Sequence, residues 1–597
     1  MCHPITAAIP YRSHHGSPFK AVEKLEAAHV KVDTMTNDAG HQLDLEAVDG
    51  HRRGSLITRF LKPAHFALLL IFFATIGGFT TGLDQYLVFG TSPPHLSQNL
   101  DLALTQSRQA SLSALVGAVA GALLLHSANE YFGRKGAALL STLLCSTGAA
   151  LHFVSFNFAM VLAARVILSL GIGLASGTIP IYVAETAERG VRGNLISLYQ
   201  CTTILGNVVG SVVGPVLVEE PSNKWRCLLA TSLAVSITMF LGALLLPESP
   251  RFLLHKGRMI EALGAWRRMR CLDSYEQKAE LILLVAAARQ VETWVGEGRQ
   301  YRVPRARRAF VCANIVVVMG QLTGVNAVMN YLPILMNRFG VGEHDMNLTS
   351  LVGTGALLLG SIPTIFLMDR CSRRFWAMAT LPGVFVGLLL IAISHQFDAA
   401  SDVELVAAFY LTGLVLFMSF LGAYTSVAWV ILSEVYPTHL RSVGMATSNT
   451  LLFLTSFLLT NQFDAMQEVM SETGLILGFY GGIALIGGLY QVLFLPETKD
   501  RTLEEMDDVF SRSATDIVRE NWTALRKTVT SPGQGPISNA VAEQTKKNEK
   551  RPDLSGGEKA AAVLRDCEAA LNDNDQIDVK PWCIGKWDIG NRNVDDR

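Results

Sequence analysis

Charge is scarce in this chain of 597 residues: 17% are Asp, Glu, Lys or Arg, against 50% hydrophobic residues. That balance argues against a string of soluble domains, and the positive mean hydropathy points to a membrane protein. Nine cysteines lie scattered without paired spacing, which argues against a disulfide framework or a cysteine metal site. No Gly-x-x-x-x-Gly-Lys-Ser/Thr phosphate loop occurs, so Leu554-Ser555-Gly556-Gly557-Glu558 has no nucleotide-binding counterpart. Gly171, Gly173 and Gly177 lie inside an apolar run, where small residues serve close helix packing rather than a dinucleotide. With no nucleophile–base constellation either, an enzyme is not expected, nor a cofactor, a metal or a nucleic-acid partner. Residues 1–64 lack an apolar core, so the first hydrophobic helix is expected to act as an uncleaved insertion signal.

What the chain has instead is apolar runs of about 20 residues, the length that crosses a bilayer core. Twelve are expected, near 66–88, 109–129, 137–156, 159–181, 196–217, 227–246, 309–333, 349–368, 376–395, 403–431, 444–462 and 473–495. Loops after alternate runs are basic, at Gly133-Arg134-Lys135, Arg189 to Arg192, Arg370 to Arg374, and Arg441. The positive-inside rule then puts those loops and both termini in the cytoplasm, and the plasma membrane is the expected location.

The expected organisation follows from these runs. A polar, disordered tail occupies 1–64, and a six-helix bundle follows over 65–251. A cytoplasmic helical linker spans 252–308, a second six-helix bundle 309–496, and a mostly disordered tail 497–597. The tail is a candidate contact for cytosolic partners.

The same charged motifs occur twice, in the same order. Gly133-Arg134-Lys135, Glu185, Arg192-Gly193 and Pro247-Glu248-Ser249-Pro250-Arg251 are matched by Ser372-Arg373-Arg374, Glu434, Arg441-Ser442 and Pro496-Glu497-Thr498-Lys499. Glu to Arg is 7 residues in both halves, and Glu to Pro is 62 in both. The chain is therefore a duplicated unit with two similar halves. Glu185 and Glu434 stand beside the basic loops, where each can pair with Arg134, Arg192, Arg374 or Arg441 across the halves. Such pairs would latch one side shut and part when it opens. The plainer alternative is that these charges only anchor loops at the membrane surface.

These motifs, together with Pro180-Ile181-Tyr182, Gln321-Leu322-Thr323-Gly324-Val325-Asn326, Asp369-Arg370 and Glu434-Val435-Tyr436-Pro437, resemble the sugar porter branch of the major facilitator superfamily over about 66–510. The resemblance is greatest to fungal proton-coupled sugar transporters. It implies an all-α membrane protein of twelve transmembrane helices in two pseudo-symmetric bundles, moving a sugar or polyol by alternating access. It also implies that Asp84 and Arg165 form a proton-coupling pair, with protonation of the carboxylate alternating with the pairing. A charge at the bilayer centre costs about 2.5–3.5 kcal/mol, so both should face inward.

Gln200, Gln321 and Asn326 match the family's sugar ligands, and amides would be awkward against lipid. Asn207, Asn330 and Tyr424 stand at cavity positions where the family has other residues, while Trp429 is kept. Helix ten reads Tyr424-Thr425-Ser426 in place of Trp-Gly-Pro, and helix eleven reads Leu452-Phe453 in place of Asn-Trp. These departures leave the substrate open. A passive uniporter, a transporter of a non-sugar polyhydroxy or cyclic acid, and a non-transporting nutrient receptor remain alternatives. Asn347-Leu348-Thr349 is a glycan acceptor on an expected outer loop, whereas Asn521-Trp522-Thr523 should stay bare.

Overall fold

The twelve apolar runs each have a helical counterpart in the computed structural model. It describes residues 63–89, 104–188, 190–218, 225–269, 304–325, 328, 343–397, 403–437, 439–471, 473–498 and 506–530. The first half comprises α1 (Pro63–Phe89), α2 (Leu104–Tyr131), α3 (Gly133–Phe153), α4 (Phe158–Thr186), α5 (Arg192–Val218) and α6 (Trp225–Leu245). Two short helices, α7 (Pro250–His255) and α8 (Met259–Met269), open the linker, and residues 270–303 of that expected helical segment lie outside the described residues. The second half comprises α9 (Pro304–Leu322), α10 (Glu343–Leu367), α11 (Arg373–Ser394), α12 (Val403–Val435) and α13 (Arg441–Val469). A π-helical segment, Gly474–Gly481, then runs into α14 (Gly482–Phe494). Among the described residues, nine helices are long and apolar enough to cross a membrane, and Ala230–Leu245 and Leu351–Leu367 are shorter apolar ones.

Local chemistry sets the helix ends. Asn157 accepts from the Met160 amide at 2.9 Å to cap α4, and Ser372 accepts from Phe375 at 2.9 Å to cap α11. The turn between α2 and α3 closes through Gly133, whose φ of 78° suits a residue without a Cβ. Pro180, Pro363 and Pro382 lie inside membrane helices, where neighbouring helices protect the backbone.

Packing follows the duplication. In the first half α1 lies on α5, α2 and α3 on α4, and α6 on α3. In the second, α10 and α11 lie on α12, and α14 on α11. The halves meet chiefly through α2 against α13 and α5 against α10. Apolar side chains such as Leu123, Phe366 and Leu489 point outward, as expected of a surface facing lipid.

Within residues 497–597, expected to be mostly disordered, α15 (Met506–Ser511) and α16 (Ala514–Thr530) are helical. The reason is amphipathicity: Ile517 and Asn521 share one face and are buried, while Arg519, Glu520 and Trp522 are exposed. Asn521 Nδ2 donates to the carbonyls of Leu493 (2.8 Å) and Leu495 (3.1 Å), fixing α16 to the end of α14.

Candidate functional site

The duplicated motifs assemble into two matching clusters at the end of the bundles that carries the basic loops. Glu185, at the end of α4, accepts from Arg134 Nε at 3.1 Å and from Ser249 Oγ at 2.6 Å. Glu434, at the end of α12, accepts from Arg373 Nη2 at 3.0 Å and from Thr498 Oγ1 at 2.9 Å. Glu248 takes the backbone N–H groups of Arg134 (2.9 Å), Lys135 (3.2 Å) and Ser249 (2.9 Å). Glu497 takes those of Arg373 (3.0 Å), Arg374 (3.4 Å) and Thr498 (3.1 Å). Each Pro-Glu motif thus places a carboxylate on the exposed amides of a helix N-terminus, where the dipole favours negative charge. Burial pushes the Glu248 carboxyl up, against the backbone N–H bonds that hold it down.

Arg374 was one of four cations expected to pair with either glutamate; here Arg373 holds the place beside Glu434. Arg374 Nη2 donates instead to the carbonyls of Val492 (2.7 Å) and Asn521 (3.1 Å). Lys135 is its counterpart, with Nζ on the Leu244 carbonyl at 2.8 Å. A helix turns about 100° per residue, so the first arginine of α11 faces inward and the next faces its flank.

Among the described residues, contacts of two kinds join the halves at this end. Arg441 Nη1 lies 3.8 Å from Glu185 Oε1, and neither side chain has exposed surface. Asn194 of α5 and Asp369, just after α10, clasp reciprocally: the Asn194 amide donates to Asp369 Oδ2 at 2.8 Å, and the Asp369 amide to Asn194 Oδ1 at 3.1 Å. Arg373 Nη2 steadies Asp369 at 2.7 Å. Burial raises the Asp369 carboxyl, and Arg373 and the Asn194 amide offset part of that. Arg192 is buried at the start of α5. The clasp was not foreseen, although aligning the repeats shows Arg373 opposite Arg134. Glu130, the counterpart of Asp369, turns instead to Lys256 Nζ of the linker at 2.9 Å. The basic end is closed.

Asp84 is fully buried in α1 and accepts from Ser232 Oγ of α6, while its Oδ2 has no hydrogen-bond partner. Arg165 is buried in α4, with Nε and Nη1 unpartnered. The two are not ion-paired in this conformation. Asp84 lies against Ser232 of α6 and Cys145 of α3, and Arg165 stands one turn before Leu168, whose carbonyl Cys145 Sγ meets at 3.9 Å.

Of the expected cavity residues, Gln200 is mostly buried in α5, and Asn207 is half-buried with Nδ2 3.4 Å from the Thr203 carbonyl. Gln321 is half-buried at the end of α9. That helix stops at Leu322, and Gly324 follows at φ 89°, packed so closely on the Tyr480 ring that a Cβ would strike it. Asn326 and Asn330 lie outside the described residues.

Tyr424, expected among the substrate ligands, is buried and bonded within the second half in this conformation. Its hydroxyl donates to the Val316 carbonyl at 2.7 Å and accepts from Gln491 Nε2 at 2.8 Å, so its hydrogen-bonding capacity is taken up in bracing α12 against α9 and α14. Trp429 meets Tyr199 edge to face at 6.2 Å across the halves, next to Gln200. Tyr199 was not foreseen. Thr425 and Ser426 bond the Gly422 carbonyl of their own helix, and α12 runs unbroken.

The sequence profile described as "Sugar (and other) transporter" matches residues 70–510. The chain is 49% identical over 526 residues to the myo-inositol transporter FST1 of Gibberella moniliformis, covering 86% of this chain and 91% of that one. It is 27% identical to the D-xylose-proton symporter-like 2 protein of Arabidopsis thaliana, over 76% of this chain and 90% of the relative. Among solved structures, the proton:xylose symporter XylE bound to 6-bromo-6-deoxy-D-glucose superposes with a TM-score of 0.66 at 20% identity, over 75% of this chain and all of that one.

Proposed function

The chain belongs to the sugar transporter family of the major facilitator superfamily, and we propose that it moves myo-inositol or a closely related cyclic polyol across the membrane together with a proton. The observation that carries the substrate is the 49% identity, over most of both chains, to a myo-inositol transporter. A cyclitol presents a ring of hydroxyls, and the amides of Gln200, Asn207, Gln321, Asn326 and Asn330 supply donors and acceptors for them. Trp429 and Tyr199 offer apolar faces for the ring's C–H surface. The basic end is the cytoplasmic one by the distribution of arginines.

Transport runs by rocking of one half against the other around the bound polyol. Closure of the basic end rests on Arg441 with Glu185 and on the clasp of Asn194 with Asp369. Arg134 with Glu185 and Arg373 with Glu434 lie within one half each, and they hold the acids where the opposite half can reach them. Asp84 takes up the proton, and Arg165 is its partner in the deprotonated state. A buried carboxyl without a nearby cation is the arrangement such a cycle passes through when the proton is bound. The proton symporters among the relatives support the same assignment.

Vesicles with an imposed pH gradient and a panel of labelled cyclitols, hexoses, disaccharides, linear polyols and cyclic acids test this reading. One proton crossing 100 mV supplies roughly 2.3 kcal/mol, enough for about fifty-fold accumulation. Asp84→Asn should abolish that accumulation and leave exchange down a gradient. Uptake indifferent to the pH gradient in the wild type would identify a passive uniporter instead.

A further inference from the structure

Gln200 stands eight residues after Arg192, and Asn449 stands eight residues after Arg441. The repeat thus aligns two amides, one in α5 and one in α13. Halves related by an axis along the membrane normal hold equivalent positions at equal depth on opposite sides of that axis. Asn449 lies about 12 Å along α13 from the gate arginine, at 1.5 Å per residue.

Asn449 has no exposed surface, and neither its Nδ2 nor its Oδ1 has a hydrogen-bond partner. Its seat is built by the other half: a Cβ on Gly177 of α4 would strike Asn449 Nδ2 and the Leu125 side chain of α2. One turn from Leu125, Asn129 donates to the Leu125 carbonyl and to Thr178 Oγ1, both at 2.9 Å, while its own Oδ1 is unpartnered. Three amide atoms therefore go unmet at the seam of α2, α4 and α13.

Leaving one such group buried and unsatisfied disfavours a conformation by a factor of roughly five to 150. A leucine has the same branched outline without that cost, so side-chain shape alone does not account for an asparagine here. The seam opens when the basic end opens, because α2 and α4 belong to one half and α13 to the other.

We propose that Asn449 is a substrate-binding residue of the conformation open at the basic end. There its Nδ2 donates to one hydroxyl of the polyol and its Oδ1 accepts from a neighbouring hydroxyl, so the amide reads an adjacent pair. In the closed conformation the same groups are sealed in the Gly177 seat. This rests on the polyol-transport reading, and it adds a ligand that the other face does not present.

The test uses the full-length protein in vesicles of one orientation, with half-saturation measured from each face for myo-inositol and a series of mono-deoxy inositols. Asn449→Leu should raise half-saturation at the basic face about tenfold for myo-inositol. For the analogue lacking a hydroxyl that Asn449 contacts, wild type and variant should differ less than twofold. A shift equal across all analogues, with an opposite shift at the other face, would show that Asn449 acts only on the open–closed balance and would overturn the proposal. An absence of any shift would overturn it too. Asn449→Ala makes the same comparison if the leucine variant does not accumulate. Wild-type protein that takes up no member of the series would refute the transport reading itself, a result separable from either of these.

Discussion

Replacing Arg441 with methionine keeps much of the side-chain volume and removes one charge that crosses between the halves. At 3.8 Å from Glu185, a unit charge pair is worth about 4 kcal/mol at an effective dielectric of 20. That is a ceiling, because desolvation of both groups offsets part of it. Glu185 also keeps Arg134 and Ser249 in the variant, so no buried carboxylate is stranded. The remaining loss is about 1–3 kcal/mol, a five- to 150-fold shift toward the state open at the basic end. Accessibility of a single cysteine introduced at Ser433, fully buried near the end of α12, reads that shift from the basic face as a labelling rate. The cycle of Arg441→Met with Glu185→Gln isolates the coupling between them. A labelling rate within twofold of the parent, or a coupling energy near zero, would refute the view that this contact holds the end shut.

Two further substitutions probe the scaffold around the cavity. Gly324→Ala places a Cβ both at a left-handed backbone position and against the Tyr480 ring; a loss of about 1–2 kcal/mol is expected, read as a lower melting temperature in detergent. Tyr424→Phe removes the bonds to Val316 and Gln491 and should destabilise by about 1–3 kcal/mol, while the ranking of substrates in the uptake panel stays as in the wild type; a changed ranking would return Tyr424 to the list of ligands.

Much of the architecture was legible because it depends on chain-local properties. Long apolar runs and the loop charges around them require nothing beyond the sequence, since a bilayer accepts only helices of sufficient length with their backbone bonds satisfied internally. The repeat spacing pointed to paired acids and bases for the same reason: identical local geometry recurs wherever the unit does. The sequence left several cations open for Glu434, Arg374 among them, and did not single out Arg373. Adjacent arginines look equivalent in a list of motifs, and only the helix phase separates them. The tail helix α16 was missed because its polar composition concealed a single buried stripe of Ile517 and Asn521.

By itself the sequence determined the class of protein, the number of membrane helices, the duplication and the residue types at the gate. Each of these follows from hydropathy or from spacing along one chain. Only the tertiary structure decided which charges cross between the halves, that Tyr424 braces helices, and that Asn194 clasps Asp369. It alone showed Asp84 turned to Ser232 and Asn449 buried without partners. Those facts depend on how two bundles meet, and the energy of a charge or an amide in a membrane protein is set by what the opposing surface brings to it.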